Sequence, residues 1–146
     1  MTSAAVYGTG SWGTAYASVL ADAGTSVTMW GRRQEVVDQI NAGTNEDYLP
    51  ELRLPGTIRA TTDPFEAAAG ADIVVLAVPS QTLRANLEVW GSALPSSAAI
   101  VSLMKGVELG TTRRMSEVIS EVGGVEPERV VIVSGPNLAR EIAVKQ

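Results

Sequence analysis

Short apolar runs alternate with stretches of helical periodicity along this chain, and that alternation limits the possible folds more than any other feature. Residues 73–78 form an apolar run without polar alternation, which is typical of a strand that is covered on both faces. Strands alternating with helices predict an α/β fold, in which a doubly wound, mostly parallel sheet carries helices on both faces. The predicted strands are residues 4–7, 26–30, 73–78, 100–103 and 130–133, and the predicted helices are residues 12–23, 34–40, 64–69, 81–90 and 112–122.

The length of the chain indicates one domain that spans residues 1–146. No internal repeat or linker is visible, and 45% hydrophobic with 18% charged residues is ordinary for a globular protein. Residues 41–62 are the longest stretch predicted to be irregular, and a loop of that length is usually functional or disordered. Gly24 marks the expected end of the first helix, and Asp63 is the expected N-cap of the helix that starts at Pro64.

The charged and reactive residues exclude several classes of function. The net charge of −5 disfavours binding to nucleic acids and to anionic membranes, so neither is an expected partner. The absence of cysteine and histidine excludes disulfides, thiolate metal sites, a cysteine nucleophile and a histidine base, and no metal site is predicted. The first residues lack the pattern of a secretion signal and the longest apolar run is too short to span a membrane, so we expect a cytoplasmic protein.

A glycine-rich pattern directly follows the first predicted strand and opens a helix. Gly8 permits a tight turn, Gly10 lets the backbone approach a pyrophosphate, and Gly13 allows the helix to pack closely on the strand. The start of that helix, with Ser11 and Trp12, offers free amides and a favourable dipole to an anion. The pattern predicts a dinucleotide site formed by these five residues. The alternative is an ordinary glycine-rich turn, and Trp12 either lines the cofactor cleft or caps the core.

The end of the second predicted strand indicates which dinucleotide is bound. A site selective for NAD usually has Asp or Glu about 20 residues past the glycines, where it holds the ribose 2′-hydroxyl. This chain has Arg32 and Arg33 there and no acid. Two guanidiniums suit a 2′-phosphate, so the predicted cofactor is NADP or NAD, with NADP(H) accepted. The alternative is a pair of solvated arginines at the start of the next helix.

Three further residues are candidates because of where they lie in the predicted fold. Lys105, one of only two lysines, follows a predicted strand at the edge of the sheet where ligands bind in open α/β folds. The alternative is an ordinary surface lysine. Tyr48, in the long loop, either covers the nicotinamide cleft or anchors the loop as a buried aromatic. Asn137 either caps the last predicted helix or contacts a substrate.

Eight segments, taken together, single out one family. They are GTGSWGTA at residues 8–15, WGRR at 30–33, IN at 40–41, NEDYLP at 45–50, LP at 54–55, AVPSQ at 77–81, SLMKGVE at 102–108 and SGPN at 134–137. In their order and spacing these segments resemble bacterial NAD(P)-dependent glycerol-3-phosphate dehydrogenase. The resemblance covers nearly all of the chain, so it is much more specific than the glycine pattern alone.

The resemblance implies a reaction and further site residues. Enzymes of this family reversibly reduce dihydroxyacetone phosphate to sn-glycerol 3-phosphate by hydride transfer, which serves glycerophospholipid metabolism and phospholipid biosynthesis. By resemblance, Lys105 contacts this small-molecule substrate and lies next to the nicotinamide. The resemblance adds Gly135 to the substrate site and Ala139 to the cofactor site.

The resemblance also implies that part of the machinery lies outside this chain. Family members carry a helical C-terminal domain, absent here, with a lysine that mediates proton transfer, and that lysine is expected beyond Gln146. We therefore expect no catalytic residue in this chain, and nucleotide binding with little or no turnover. The full-length enzyme is expected to be a homodimer. Two alternatives stay open: a related two-domain hydroxyacid reductase, and a non-catalytic nucleotide-binding module.

Overall fold

Six parallel strands form one sheet in the part of the chain that the structure, a computed structural model, describes: residues 1–134 and 139–145. The strands are β1 (Ser3–Tyr7), β2 (Ser26–Trp30), β3 (Ile58–Thr61), β4 (Ile73–Leu76), β5 (Ala99–Ser102) and β6 (Val130–Ile132). Their order is β3-β2-β1-β4-β5-β6, and each neighbouring pair is parallel. The predicted doubly wound α/β fold is confirmed.

Helices cover both faces of this sheet. They are α1 (Ser11–Asp22), α2 (Gln34–Asn41), α3 (Pro64–Ala68), α4 (Leu83–Trp90) and α5 (Met115–Gly123), and a further helix, α6 (Ala139–Ala143), packs against α1. Asp63 caps α3 as predicted, because its carboxylate accepts hydrogen bonds from the amides of Phe65 and Glu66 at 2.9 and 3.3 Å. Of the helices in the described ranges, none is long and apolar enough to cross a membrane.

Strand β3 corrects the prediction that residues 41–62 are irregular throughout. It lies at the edge of the sheet and pairs with β2. The Asn41 side chain makes two hydrogen bonds with the backbone of Ala60 in this strand. It donates to the Ala60 carbonyl at 3.0 Å and accepts from the Ala60 amide at 2.8 Å. Only Ile58 of the four residues is buried. So short an edge strand shows too little hydrophobic alternation to be recognised in the sequence.

The helix predicted for residues 112–122 begins later, at Met115. Thr112 has a φ of 57°, which a right-handed helix does not allow. Its amide donates to the Glu108 carbonyl at 2.9 Å, and residues 107 and 114 form an isolated antiparallel bridge. Residues 107–114, between β5 and α5, therefore form a closed turn. This turn includes the first residues of the predicted helix.

The two faces of the sheet bury separate hydrophobic clusters, which explains the unbroken apolar run in β4. Val74 and Leu76 belong to the cluster formed with α3, α4 and α5. Val75, between them, belongs to the cluster formed with α1 and α2. All three side chains are fully buried. A strand covered on both faces needs apolar residues at successive positions, and β4 supplies them.

Three aromatic rings surround the carboxyl end of β1. Tyr7 stacks on Trp90 with ring centroids 4.2 Å apart, and the Trp30 ring lies 5.7 Å from Tyr7. The buried Tyr7 hydroxyl donates a hydrogen bond to the Pro64 carbonyl. Burial, and to a smaller extent the Asp63 carboxylate, raises the pKa of Tyr7 above its ordinary value. The phenol is therefore stable inside the protein only in its neutral form.

We expect Tyr7 to make the protein less stable at high pH. The unfolded phenol has a pKa of about 10, so the unfolded state loses this proton first. The Tyr7 contribution to stability is fully present below about pH 10 and is lost as the pH rises towards the higher folded pKa, with a slope of up to about 1.4 kcal/mol per pH unit. The free energy of unfolding can be measured with urea at about pH 8 and at about pH 11. It should fall less between these two pH values in Tyr7→Phe, which keeps the ring, than in the wild type. Equal losses in both proteins would contradict this.

Candidate functional site

A cleft of about 830 Å³ lies at the carboxyl ends of β1, β2, β4 and β5. The strand order reverses between β1 and β4, and the crevice outside such a point is where open α/β sheets bind ligands. Its volume lies within the range of roughly 300–1,000 Å³ that is usual for small-molecule sites. The position and size of the cleft therefore make it the candidate site.

The glycine pattern forms the loop between β1 and α1 on the floor of this cleft. Gly8 has a φ of +119°, and a Cβ there would overlap the carbonyl oxygen of Ala77. A Cβ on Gly13 would overlap the carbonyl oxygen of Gly8 and lie 3.2 Å from the Ala77 Cβ. At Gly10, nothing beyond the chain neighbours lies within 4 Å of where a Cβ would be. The loop is thus closely packed below and open to the cleft at Gly10.

The N-terminus of α1 has the features of an anion site. This helix is 12 residues long, no side chain caps it, and no acidic residue lies in its first turn. The Thr14 amide makes the bond to the Gly10 carbonyl at 3.0 Å, so the amides of Ser11, Trp12 and Gly13 precede the first intrahelical bond. These amides and the helix dipole favour a negatively charged group. The arrangement fits the pyrophosphate of a dinucleotide.

A tight turn at residues 45–49 is attached to the glycine loop. The buried Asn45 side chain donates to the Thr9 carbonyl and to the Thr14 hydroxyl, each at 2.9 Å. The Ser11 hydroxyl donates to the Tyr48 carbonyl at 3.2 Å. The Tyr48 side chain is 40% exposed and lines the cleft. Tyr48 is therefore part of the cleft wall and not a buried anchor of the loop.

Of the two arginines after β2, the structure brings Arg32 to the cleft and leaves Arg33 outside its lining. The Arg33 guanidinium pairs with Glu35 at 2.9 Å and with Asp47 at 3.2 Å. Its hydrogen bond with Glu35 is the main cause of a raised pKa for Arg33. Arg32 and Lys105 bring two positive charges to the cleft, and none of the described residues that line it is acidic.

Lys105 lies on the β5 side of the cleft, on a loop that is held at two points. Gln81 donates to the backbone of residue 107 and accepts from that of residue 109, both at 2.9 Å. Arg84 makes two hydrogen bonds to Glu108, at 2.9 and 3.0 Å, and lowers the pKa of that carboxyl. These contacts fix the exposed Lys105 relative to the segment that follows β4.

One wall of the cleft is not predicted from the sequence. It begins with Ala77 at the end of β4 and continues along one face of α4 and the turn before it. Residues spaced as i, i+3, i+4 and i+7 share a helix face, and that spacing is the only sequence signal for this wall. The face mixes polar and apolar residues, so it has no hydrophobic periodicity. Its members are Thr82, Ala85, Asn86 and Val89, with Val78, Pro79 and Ser80 before them.

The remaining predicted site residues lie at the border of the cleft or outside the described residues. Trp12 lines the cleft and also packs, partly buried, against the core cluster on the α1 and α2 side of the sheet. Ala139 begins α6 and packs in a small cluster near Trp12 without lining the cleft. Gly135 and Asn137 fall outside the described residues. Within the described ranges, no group of three or more His, Cys, Asp or Glu residues could hold a metal ion.

The sequence matches one protein family along almost its whole length. A family model described as the NAD-dependent glycerol-3-phosphate dehydrogenase N-terminus matches residues 3–146. The chain is 60% identical over 143 residues to a glycerol-3-phosphate dehydrogenase (NAD(P)+) of Streptomyces avermitilis, covering 97% of this chain and 43% of that protein. The corresponding protein of Thermobifida fusca is 57% identical over 148 residues, covering 100% of this chain and 44% of that protein.

A solved structure agrees with these sequences. The crystal structure of glycerol-3-phosphate dehydrogenase from Coxiella burnetii superposes with a TM-score of 0.87 at 33% identity, covering 98% of this chain and 43% of that one. The chain thus spans less than half the length of these relatives. Over that span, it belongs to the family of NAD-dependent glycerol-3-phosphate dehydrogenase N-terminal domains.

Proposed function

We propose that the cleft binds NADP(H) or NAD(H), and that the complete enzyme uses the cofactor to reduce dihydroxyacetone phosphate reversibly to sn-glycerol 3-phosphate. The observation that carries this proposal is the glycine loop. An uncapped helix N-terminus and an open backbone at Gly10 meet where the strand order reverses. The relatives named above carry the name of this dehydrogenase, which supports the same reaction here.

The adenosine half of the cofactor is assigned to the β2 side of the cleft. The amides of Gly10 to Gly13 would hold the pyrophosphate, with Gly8 shaping the turn. Arg32 would then hold the 2′-phosphate through charge-assisted hydrogen bonds. Arg33, which is engaged by Glu35 and Asp47, would add its positive charge without direct contact. This arrangement favours NADPH over NADH.

The nicotinamide half is assigned to the β5 side of the cleft, which carries Lys105. The bound cofactor supplies the hydride, while the protein orients the reactants and excludes competing chemistry. Lys105 would give a phosphorylated substrate one of the cationic contacts that it needs. By family resemblance, Gly135 and Asn137 would complete the substrate contacts and Ala139 would border the cofactor. The lysine that transfers the proton is expected beyond Gln146.

The complete enzyme is proposed to be a cytoplasmic homodimer, which rests on the family resemblance alone. The identity of the relatives favours glycerol-3-phosphate dehydrogenase over a related hydroxyacid reductase. A non-catalytic nucleotide-binding module differs from both in a measurable way, because no substrate would oxidise its bound NADPH.

Replacing Arg32 by alanine is expected to weaken NADPH binding by about 10- to 100-fold, the value of one charge-assisted hydrogen bond. NADH binding should change little, because NADH has no 2′-phosphate. Both dissociation constants can be measured from the quenching of tryptophan fluorescence, since Trp12 and Trp30 line the cleft.

The matched control for Arg32 is Arg59→Ala, which removes an exposed arginine of β3 that does not line the cleft. It should leave both dissociation constants unchanged. Equal weakening of NADPH and NADH by Arg32→Ala would contradict the role of Arg32 in holding the 2′-phosphate. Failure of the wild type to bind either nucleotide would contradict the proposed function itself.

Turnover is expected to need residues outside this chain. The 146-residue chain should bind NADPH without oxidising it when dihydroxyacetone phosphate is added. A protein extended beyond Gln146 to the length of its relatives should oxidise it, and Lys105→Met in that protein should lower kcat/KM by at least about tenfold because the substrate loses a charged contact. Absorbance of the reduced nicotinamide follows the reaction. No oxidation by the extended protein would favour the non-catalytic module.

A further inference from the structure

Asn45 is one of the few fully buried polar residues in the described part of the chain. Its side-chain nitrogen donates to the Thr9 carbonyl and to the Thr14 hydroxyl, each at 2.9 Å. Its side-chain oxygen is buried with no hydrogen-bond partner among the described residues. A buried acceptor without a partner is unfavourable, so the net gain in stability from this amide is small. The geometry of the two donated bonds is its distinctive contribution.

The bond from Asn45 fixes the direction of one peptide group in the glycine loop. In a trans peptide the carbonyl and the following N–H point in opposite directions in one plane. Because the Thr9 carbonyl is directed at the Asn45 side chain, the Gly10 N–H of the same peptide points away from Asn45. The Thr14 hydroxyl donates to the same carbonyl at 3.3 Å. Two buried donors thus hold this peptide, and Gly10 beside it lines the cleft.

Because residue 10 is glycine, the Thr9–Gly10 peptide has little intrinsic preference for one orientation. A Cβ would meet nothing at Gly10, and a residue without Cβ reaches many backbone conformations at low cost. A rotated peptide would present the Thr9 carbonyl oxygen, and not the Gly10 N–H, to an anion in the cleft. That oxygen would repel a pyrophosphate where the N–H would bind it.

We propose that Asn45 is a positioning residue, which holds the Thr9–Gly10 peptide in the orientation that a dinucleotide pyrophosphate requires. The inference rests on the proposed function. Asn45 does not line the cleft, so it acts through the loop and does not touch the nucleotide. Its own backbone closes the 45–49 turn, accepting from the Leu49 amide at 2.8 Å, so any residue at this position keeps that bond. The orientation of the Thr9–Gly10 peptide therefore depends on the amide side chain of Asn45 and not on its backbone.

The test compares two ligands on the 146-residue chain. NADPH carries a pyrophosphate, whereas adenosine 2′-monophosphate carries the 2′-phosphate that is assigned to Arg32 and has no pyrophosphate. Asn45→Ala removes the donor, and Asn45→Asp replaces it with an acceptor of the same shape. Both variants should weaken NADPH binding by about tenfold or more and change the binding of adenosine 2′-monophosphate by less than about twofold. Calorimetry or tryptophan quenching measures both constants.

The matched control is Asn41→Ala, because Asn41 also makes two hydrogen bonds to backbone but lies beside β3, away from the cleft lining. It should leave both ligands bound as in the wild type. Similar losses for both ligands in the Asn45 variants would show a general structural defect and overturn the proposal. Unchanged NADPH binding would overturn it too. A wild type that binds neither ligand would overturn the proposed function, and this inference with it.

A second measurement needs no ligand. The nuclear magnetic resonance signal of the Gly10 amide reports the orientation of the Thr9–Gly10 peptide. It should move in Asn45→Ala and stay in place in Asn41→Ala. An unchanged Gly10 signal in a folded Asn45→Ala protein would show that the peptide does not depend on Asn45, and would overturn the proposal even where ligand binding is difficult to measure.

Discussion

The close contact between the glycine loop and the end of β4 is the constraint on which the rest of the structure depends. Gly8 packs against the backbone of Ala77, and Gly13 packs against both Gly8 and Ala77, so neither position has room for a side chain. This contact brings β1, α1 and β4 together where the strand order reverses. Because Gly8 and Gly13 are closely packed, Gly10 is the glycine of this loop whose backbone stays open towards the cleft.

The electrostatics of the cleft differ from those of the whole chain. The chain carries a net charge of −5, which repels anions at long range. The cleft holds Arg32 and Lys105, no acidic residue among the described lining, and the uncapped N-terminus of α1. An anionic dinucleotide is therefore attracted by groups arranged locally. This separation between overall and local charge explains how a composition that disfavours nucleic acid still allows a nucleotide to bind.

The sequence predicts those parts of the molecule that local patterns determine. The covered strands show unbroken apolar runs, and the loop at Gly8 and Gly13 needs glycine for steric reasons, so both are visible in the sequence. Strand β3 and the α4 wall of the cleft lack such patterns and arise from tertiary packing. Asn45 is the clearest case, because its bond to Thr9 joins residues 36 positions apart and no local pattern around Asn45 indicates that contact. Arg33 pairs with Asp47 in the same way, across a distance in sequence that no local pattern reveals.

The central claim is that the glycine loop at the start of α1 receives the pyrophosphate of NADPH. The most direct test follows the backbone amide signals of the isotopically labelled chain by nuclear magnetic resonance while NADPH is added. The largest shifts are expected at Gly10, Ser11 and Gly13, with smaller shifts at Arg32 and Lys105. Shifts that are confined to other surfaces, with the amides of the glycine loop unchanged at saturating NADPH, would contradict it.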